Sequence, residues 1–238
     1  VAAANPQPRT GFIDRAVVAA YDAGIEPILC VTKTDIRHPQ ELLDYYQRSG
    51  LRIVLSAASD GRAPSEEGAE GLTTGPVREL LGDLLGNVSV LLGHSGVGKS
   101  TLVNALTGAD RATGHVNSVT GRGRHTSSSA LALQPASDAG VEVPPGTWII
   151  DTPGIRSFGL AHVSMQKVVE AFPDLAPGAV ECPRGCTHTG DSSGCGITAY
   201  VARGEAGPSG ADRLASMRKL LAAPNQAGDD EKELGSLT

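Results

Sequence analysis

The chain has 238 residues, a formal net charge of −6 and 40% hydrophobic residues, enough for one large domain or one domain with a small appendage. The acidic balance argues against a protein that binds nucleic acid through overall positive charge. No stretch approaches the roughly 18 apolar residues of a membrane-spanning helix, and the first residues lack the basic and apolar segments of a secretory signal. We therefore expect a cytoplasmic protein without a membrane partner.

Helical and strand patterns alternate along most of the chain, which predicts an α/β domain with a mostly parallel sheet flanked by helices. Apolar residues at helical spacing, with Gly or Pro at the ends, indicate helices, whereas short apolar runs indicate strands. In chain order we predict a helix over 12–24, a strand over 25–35, a helix over 39–50, a strand over 51–59, a helix over 76–86, a strand over 87–93, a helix over 99–108, strands over 129–134 and 147–154, and helices over 197–205 and 211–223. The charged tail, 226–238, is predicted to be disordered.

Residues 93–100 fit the phosphate-loop pattern G-x-x-x-x-G-K-[ST] at every fixed position. A chance match is expected about once per hundred chains of this length at a glycine usage of ~7%, and the flanking strand and helix make chance less frequent still. Backbone N–H groups of such a loop bind phosphate oxygens, Lys99 reaches the β- and γ-phosphates, and the Ser100 hydroxyl binds Mg²⁺. The predicted nucleotide-binding residues here are Gly93, His94, Ser95, Gly96, Val97, Gly98, Lys99, Ser100 and Thr101.

Two later segments contain candidate partners of this loop. Asp151 ends a predicted strand, where an acidic residue can hold Mg²⁺ through water, and the Gly154 N–H can meet the γ-phosphate. Residues 121–129 form a Gly-, Arg- and Ser-rich stretch in which Thr126 is a candidate Mg²⁺ ligand of a switch that becomes ordered with the γ-phosphate. Without the neighbouring motifs, a basic, solvated loop would be the preferred interpretation of this stretch.

Thr32-Lys33-Thr34-Asp35 is the candidate guanine-reading loop. The Asp35 carboxylate can accept hydrogen bonds from guanine N1–H and the N2 amino group together, a donor pair that adenine lacks. The Lys33 side chain can cover the face of the base. A solvated turn is the alternative, but the Ser56-Ala57 pair at the end of the next predicted strand favours the guanine site, since its backbone N–H can bind guanine O6.

Three of the four cysteines and one histidine lie within fourteen residues, in a segment with few apolar side chains. Three thiolates and one imidazole are the donor set of a closed structural Zn²⁺ site, which leaves no open position for catalysis. A disulfide with free thiols is the alternative. Cys30, in an apolar strand, is interpreted as a core residue. The predicted zinc ligands are Cys182, Cys186, His188 and Cys195.

The chain resembles the circularly permuted ribosome-assembly GTPases, specifically the small-subunit-dependent GTPase A (RsgA/YjeQ) family. The motifs that support the resemblance are IDR, GIEPILCVTKTD, GHSGVGKSTLVNAL, GRGRHT, DTPGIRSFG, the cysteine cluster and VARGE. The resemblance implies that the guanine-reading half precedes the phosphate-binding half. It also implies a permuted P-loop GTPase domain over 1–160 and a small helical zinc-binding domain over 161–225.

The family further implies hydrolysis of GTP to GDP, slow alone and stimulated by the 30S ribosomal subunit, with 16S rRNA as a partner and a monomeric protein. The expected cofactors are GTP or GDP, Mg²⁺ and one Zn²⁺. Family members also have an N-terminal OB-fold RNA-binding domain, which would precede residue 1. The catalytic candidates are His125, Thr126 and Lys99.

Two residues depart from common GTPase patterns. Thr32 stands where the guanine motif usually begins with Asn, and its hydroxyl can replace some of the bonds to the phosphate loop. Ile155 stands where many GTPases have a water-orienting Gln, so His125 becomes the candidate for that role. Ile155 keeps open a GTP-dependent, non-catalytic ribosome-binding switch, and a P-loop ATPase or kinase is the other alternative.

Overall fold

Short strands and helices alternate in a computed structural model that describes residues 1–57, 75–109, 130–135, 141–154, 159–190 and 193–222. The predicted switch and tail lie outside the described residues. The described elements are α1 (Thr10–Asp22), β1 (Ile28–Val31), α2 (Gln40–Tyr46), β2 (Arg52–Leu55), α3 (Pro76–Leu84), β3 (Val88–Leu91), α4 (Lys99–Thr107), β4 (Leu131–Leu133), β5 (Trp148–Asp151), α5 (Met165–Glu170), a 3₁₀ helix (Ala176–Glu181), α6 (Gly196–Ala202) and α7 (Gly210–Ala222).

The strands form a two-stranded sheet, β1-β2, and a three-stranded sheet in the order β3-β5-β4. β3 and β5 are parallel, with Leu91 opposite Asp151, so the carboxyl ends of these strands meet at one edge of the sheet. β4 runs antiparallel to β5, its neighbour along the chain, and the three-stranded sheet is therefore of mixed direction.

The first residues of the chain pair beside β1. Ala2 forms a parallel bridge with Thr32, and the Ala3 N–H donates to the Thr32 carbonyl oxygen at 2.8 Å. The Thr32 N–H in turn donates to the Val1 carbonyl oxygen at 2.8 Å. The residue that begins the candidate guanine-reading loop is thus fixed by backbone hydrogen bonds on this side.

The chain divides into two compact units that do not follow the order of the sequence. The phosphate-loop unit comprises Val1–Pro8, Leu29–Pro39 and Ile53–Arg156, and the helical unit comprises Arg9–Ile28, Gln40–Arg52 and Ser157–Thr238. Helices α1 and α2, which precede the phosphate loop in the chain, therefore pack with the C-terminal helices. The domain boundaries at residues 160 and 225 stay a prediction from the sequence.

The core of the helical unit combines apolar packing with a buried polar network. Phe172, Leu175, Ile197, Met217 and Leu220 are almost completely buried in its apolar part. The polar part, here called the Asp14 network, consists of Asp14, Tyr45, Tyr46, Asp174, Arg213 and Ser216.

Arg213 is the centre of the Asp14 network. Its guanidinium donates to Asp14 Oδ1 at 2.7 Å and to both carboxylate oxygens of Asp174 at 2.8 and 3.0 Å. The hydroxyls of the two tyrosines and the serine also donate to Asp14, at 3.0, 2.9 and 2.5 Å. Burial raises the pKa of Asp14, against the attraction of Arg213 and these hydrogen bonds. The network joins α1, α2 and α7 in the interior of the unit.

Candidate functional site

The phosphate loop connects the end of β3 to the start of α4. Gly98 precedes α4 with a φ of 92°, a left-handed conformation that favours glycine, and it turns the chain sharply into the helix. Lys99 and Ser100 are the first two residues of α4, so they lie at its positive end, where backbone N–H groups are available to an anion. The strand, glycine-rich loop and helix predicted from the sequence are all present.

The Lys99 side chain folds back over its own loop. Its Nζ donates to the carbonyl oxygens of Gly93 at 2.9 Å and His94 at 3.0 Å. Burial lowers the pKa of Lys99, and the negative charge of Asp151 opposes that shift. Asp151 is itself only 1% exposed. A partly desolvated ammonium in this position would gain stronger, anionic acceptors if phosphate entered the loop.

The Asp151–Gly154 turn packs against the phosphate loop. The Thr152 hydroxyl donates to the Leu91 carbonyl oxygen at 2.6 Å, which links the ends of β5 and β3. A Cβ atom at Gly154 would lie only 2.7 Å from the Ser95 amide nitrogen, so this close approach of two backbones requires glycine. The two segments predicted to surround the β- and γ-phosphates are therefore neighbours.

The TKTD loop is attached to the phosphate loop through two side chains. The Thr32 hydroxyl lies 2.5 Å from the Val97 carbonyl oxygen, and Lys33 Nζ donates to the Gly96 carbonyl oxygen at 2.8 Å. Burial lowers the pKa of Lys33, whereas the nearby Asp35 carboxylate raises it. The Thr32 hydroxyl thus forms a hydrogen bond to the phosphate loop at the position where the guanine motif usually has Asn.

Ser56 and Ala57 follow β2, next to the TKTD loop. The Ser56 N–H donates to the Val31 carbonyl oxygen at 2.8 Å, and the Ser56 carbonyl oxygen accepts from the Thr34 N–H at 3.2 Å. The Ser56 N–H is therefore already used between the strands, and the predicted contact of the Ser56-Ala57 pair with guanine O6 stays a prediction. Asp35 is exposed beside this pair of strands.

The remaining predicted residues of the GTPase site are not among those that the structure describes. His125 and Thr126 fall in the segment 110–129, and Ile155 falls in the segment 155–158. Their predicted roles in binding Mg²⁺ and in orienting water stay predictions.

The cysteine and histidine side chains predicted to bind zinc converge in the helical unit. One ligand atom from each of the four residues lies within 4.8 Å of all the others. His188 Nδ1 is 3.5 Å from Cys182 Sγ, 3.6 Å from Cys186 Sγ and 3.9 Å from Cys195 Sγ. A tetrahedral Zn²⁺ with ordinary Zn–S and Zn–N bonds separates sulfur from nitrogen by ~3.6 Å. The donor set therefore fits zinc in number, chemistry and spacing.

The surroundings of the sulfur atoms act in opposite directions on two of the cysteines. The Gly196 N–H donates to Cys182 Sγ at 3.2 Å, although burial raises the pKa of Cys182 overall. Burial also disfavours the thiolate of Cys195, but hydrogen bonds from Thr198 and His188 outweigh it and lower the pKa of Cys195 to about 6. Hydrogen bonds to a metal-bound thiolate are typical of structural zinc centres.

Several residues that support these sites were not identified from the sequence. Lys33 Nζ also contacts the Asn5 carbonyl oxygen, which lies 28 residues away in the chain. Arg218 and Thr198 contribute hydrogen bonds around the zinc donors. No local pattern in the sequence marks Asn5, Arg218 or Thr198, because their hydrogen bonds to Lys33, to His188 and to Arg218 span 28, 30 and 20 residues.

No helix among the described residues is both long enough and apolar enough to cross a membrane.

Comparison with protein families and curated proteins gives consistent matches. A family model described as RsgA GTPase matches residues 1–161. The chain is 36% identical over 231 residues to the small ribosomal subunit biogenesis GTPase RsgA of Pseudomonas aeruginosa (strain LESB58), which covers 94% of this chain and 61% of the relative. The chain thus spans less than two thirds of the length of this curated relative.

Two solved structures share the fold. YjeQ from Thermotoga maritima matches with a TM-score of 0.61 at 24% identity, over 93% of this chain and 69% of that one. YloQ, described as a circularly permuted GTPase, matches with a TM-score of 0.59 at 20% identity, over 96% of this chain and 68% of that one. These matches confirm the predicted fold class, in which the TKTD segment precedes the phosphate loop.

Proposed function

Because the chain belongs to the RsgA GTPase family, we propose that it binds GTP with Mg²⁺ and hydrolyses it to GDP and phosphate during maturation of the small ribosomal subunit. The observation that supports this most directly is the connection between the two predicted halves of the nucleotide site. Thr32 and Lys33 of the TKTD loop bond to the Val97 and Gly96 carbonyl oxygens of the phosphate loop. A base-reading loop tied in this way lies at a fixed distance from the phosphates.

The phosphates are bound by the loop from Gly93 to Thr101. Backbone N–H groups at the start of α4 donate to the phosphate oxygens, and Lys99 exchanges its two carbonyl acceptors for the β- and γ-phosphates. Mg²⁺ suits the donor set formed by the Ser100 hydroxyl, Thr126 and the buried Asp151 carboxylate, since hard cations prefer oxygen ligands. The ion would neutralise charge on the phosphates, and the Gly154 N–H would meet the γ-phosphate.

Guanine is read by Asp35, which accepts hydrogen bonds from N1–H and the N2 amino group. The Lys33 stem covers the base, and the N–H of Ala57 donates to O6. Thr32 takes the place of the usual Asn and holds the TKTD loop against the phosphate loop through its hydroxyl. The preference for GTP over ATP comes from the carboxylate, which adenine would leave without its two donors.

Hydrolysis is slow in the isolated protein and is stimulated by the ribosomal subunit. Ile155 cannot orient a water molecule, so His125 orients it once the switch segment that carries Thr126 is ordered. The curated relative is named as a small ribosomal subunit biogenesis GTPase. We assign this chain the same subunit, 30S with its 16S rRNA, as partner. We also expect it to act as a monomer in the cytoplasm.

The zinc cluster, formed by Cys182, Cys186, His188 and Cys195, holds one structural Zn²⁺. The ion would contribute folding free energy to a segment with few apolar side chains. Four protein ligands fill its coordination, so it takes no part in hydrolysis. The 3.5–3.9 Å separations between the histidine nitrogen and the three sulfur atoms support this assignment.

The decisive measurement is steady-state phosphate release from GTP, with and without purified 30S subunits. We expect slow turnover alone and a marked increase with 30S, which 50S subunits do not reproduce. His125→Ala should remove most of the stimulated rate while leaving GDP affinity unchanged. GTP-dependent binding to 30S without any turnover would instead identify the non-catalytic switch that Ile155 leaves possible. Preference for ATP would exclude both readings.

A further inference from the structure

The zinc donors lie on two separate pieces of chain. Cys182, Cys186 and His188 follow the 3₁₀ helix that ends at Glu181, whereas Cys195 immediately precedes α6. The contact from the Gly196 N–H to Cys182 Sγ joins the two pieces at one end of the zinc cluster. Cys186 and His188 lie further along the loop, so this contact does not fix their position.

His188 is held in an unfavourable backbone conformation. Its φ is 58°, in the left-handed region that residues with a Cβ atom seldom occupy. Its ring nitrogen nevertheless faces all three sulfur atoms at 3.5–3.9 Å. A conformation of this kind persists only when the surrounding structure holds it in place.

Arg218 of α7 contacts both pieces of chain. Its Nε donates to the His188 carbonyl oxygen at 3.2 Å, at the residue with the left-handed backbone. Its Nη2 donates to Thr198 Oγ1 at 2.7 Å on α6. Thr198 lies in the first turn of α6, three residues after Cys195. One planar guanidinium therefore connects two parts of the zinc site to the same helix: the backbone of the histidine ligand and the first turn of α6, which begins directly after Cys195.

We propose that Arg218 is a positioning residue of the zinc centre, which holds the His188 loop and the start of α6 together so that all four donors face one point. The inference rests on the zinc site assigned under the proposed function and adds a residue that touches no metal. Preorganised donors lose less conformational freedom when they bind the ion. Hydrogen-bond partners of metal ligands commonly change metal affinity by ~10–100-fold when they are removed.

A second explanation for any effect of Arg218 is its charge alone. Zn²⁺ bound to three thiolates and a neutral imidazole carries a net charge of −1, which any nearby cation would stabilise. Arg184 is a matched control, because it lies between Cys182 and Cys186 in the sequence and its side chain is exposed. Arg184→Met removes the same charge close to the cluster without removing the two hydrogen bonds of Arg218.

The test measures the rate at which the zinc-loaded protein transfers its ion to excess 4-(2-pyridylazo)resorcinol. We expect Arg218→Met to release zinc about tenfold faster than wild type. Arg218→Lys should resemble it, since an ammonium keeps the charge but not the planar fork. Arg184→Met should stay within about twofold of wild type, as expected for an exposed charge. Equal acceleration by Arg184→Met and Arg218→Met would overturn the proposal in favour of charge.

Substitution of Co²⁺ for zinc separates positioning from general stability. Arg218→Met should change the visible ligand-field bands of the Co²⁺ protein, because the donor geometry changes. A merely structural role would lower the melting temperature and leave these bands as in wild type, which would contradict the proposal.

If Arg218→Met does not fold, Arg218→Lys and Thr198→Val are judged by the same two readouts. Wild-type protein that binds no zinc would refute the zinc assignment itself, whereas zinc held equally well by all variants would refute only the role of Arg218.

Discussion

The phosphate-loop unit and the helical unit use their buried polar groups differently. In the phosphate-loop unit, Lys33 and Lys99 donate to carbonyl oxygens of the phosphate loop, and burial lowers the pKa of both. In the helical unit, Arg213 is paired with two carboxylates at 2.7–3.0 Å, and both it and Asp14 are almost completely buried. The lysines have neutral partners on a loop, whereas the arginine has charged partners in a core.

This difference corresponds to different tasks. A cation bonded to neutral carbonyl oxygens can exchange them for a stronger anionic acceptor, so it remains available to a ligand. A buried guanidinium that is already shared by two carboxylates has nothing to gain from a ligand, and its removal leaves uncompensated charge in the core. The comparison indicates that Lys33 and Lys99 could serve an anionic ligand of the phosphate loop, whereas the Asp14 network fixes the arrangement of α1, α2 and α7.

The largest expected effect comes from Arg213→Met. Loss of one partner of a buried ion pair typically costs ~3–5 kcal/mol, and Asp14 and Asp174 would stay buried without their cation. All four tyrosines belong to the helical unit, and the single tryptophan, Trp148, belongs to the phosphate-loop unit. In Arg213→Met, the urea midpoint measured by tyrosine absorbance should therefore fall further than the midpoint measured by tryptophan fluorescence.

The control for this variant is Arg203→Met, which removes exposed ion pairs with Glu181 and Glu205 and should change unfolding little. Burial already raises the pKa of Asp14, and loss of Arg213 would raise it further. Protonation of Asp14 at low pH removes the uncompensated charge. The difference in unfolding free energy between Arg213→Met and wild type should therefore become smaller as the pH falls toward ~4. Equal shifts of the tyrosine and tryptophan signals would show that the two units unfold together.

Asp35→Asn tests the ligand-binding side of the comparison. The Asn amide has one acceptor oxygen, which can accept from N1–H, and one NH2 donor, which would face the N2 amino group of guanine without an acceptor. GTP affinity should therefore fall by about 100-fold, and preference should shift toward xanthosine triphosphate, which has an acceptor oxygen at that position. Competition binding against a fluorescent GDP analogue measures both nucleotides. Asp212→Asn, on an exposed position of α7, is the matched control. Unchanged GTP affinity in the Asp35 variant would remove this residue from the site.

The smallest expected effect is that of Thr32→Val, which keeps the shape of the side chain and removes its hydroxyl. The bond to the Val97 carbonyl oxygen at 2.5 Å is lost, which should weaken GDP binding about fivefold, or ~1 kcal/mol. Thr34→Val is the control, because the contact of Thr34 with Ser56 uses its backbone N–H. Thr32→Asn should bind GDP at least as well as wild type. Equal affinity in all three variants would show that the bond does not hold the TKTD loop for binding.

Element types were predicted well from the sequence, and element ends less well. The strand predicted over 25–35 is formed only by Ile28–Val31. Pro27 has no amide hydrogen for a strand, and the chain turns after Val31 with the Ile36 N–H bonded to the Lys33 carbonyl oxygen at 3.1 Å. The helix predicted over 39–50 ends at Tyr46, and the Tyr46 carbonyl oxygen accepts a hydrogen bond from the Ser49 hydroxyl at 2.7 Å. Helix and strand ends that are set by such local hydrogen bonds cannot be predicted from the spacing of apolar residues.

The sequence by itself determined the chemistry of the two sites. The phosphate-loop pattern, the TKTD segment and the Cys₃His donor set are local arrangements, and their residue types and spacing limit what they can bind. Their order along the chain, with the candidate base-reading segment before the phosphate loop, is part of the resemblance to the circularly permuted GTPases.

Only the tertiary structure decided which groups remain available and which are already bonded. Arg213 and Asp14 are 199 residues apart, and Arg218 lies 30 residues from His188. The Ser56 N–H is bonded to the Val31 carbonyl oxygen, so it is not available to guanine O6. These pairings follow from how buried surfaces pack and from the need to satisfy each buried polar group, and no local pattern in the sequence records that choice.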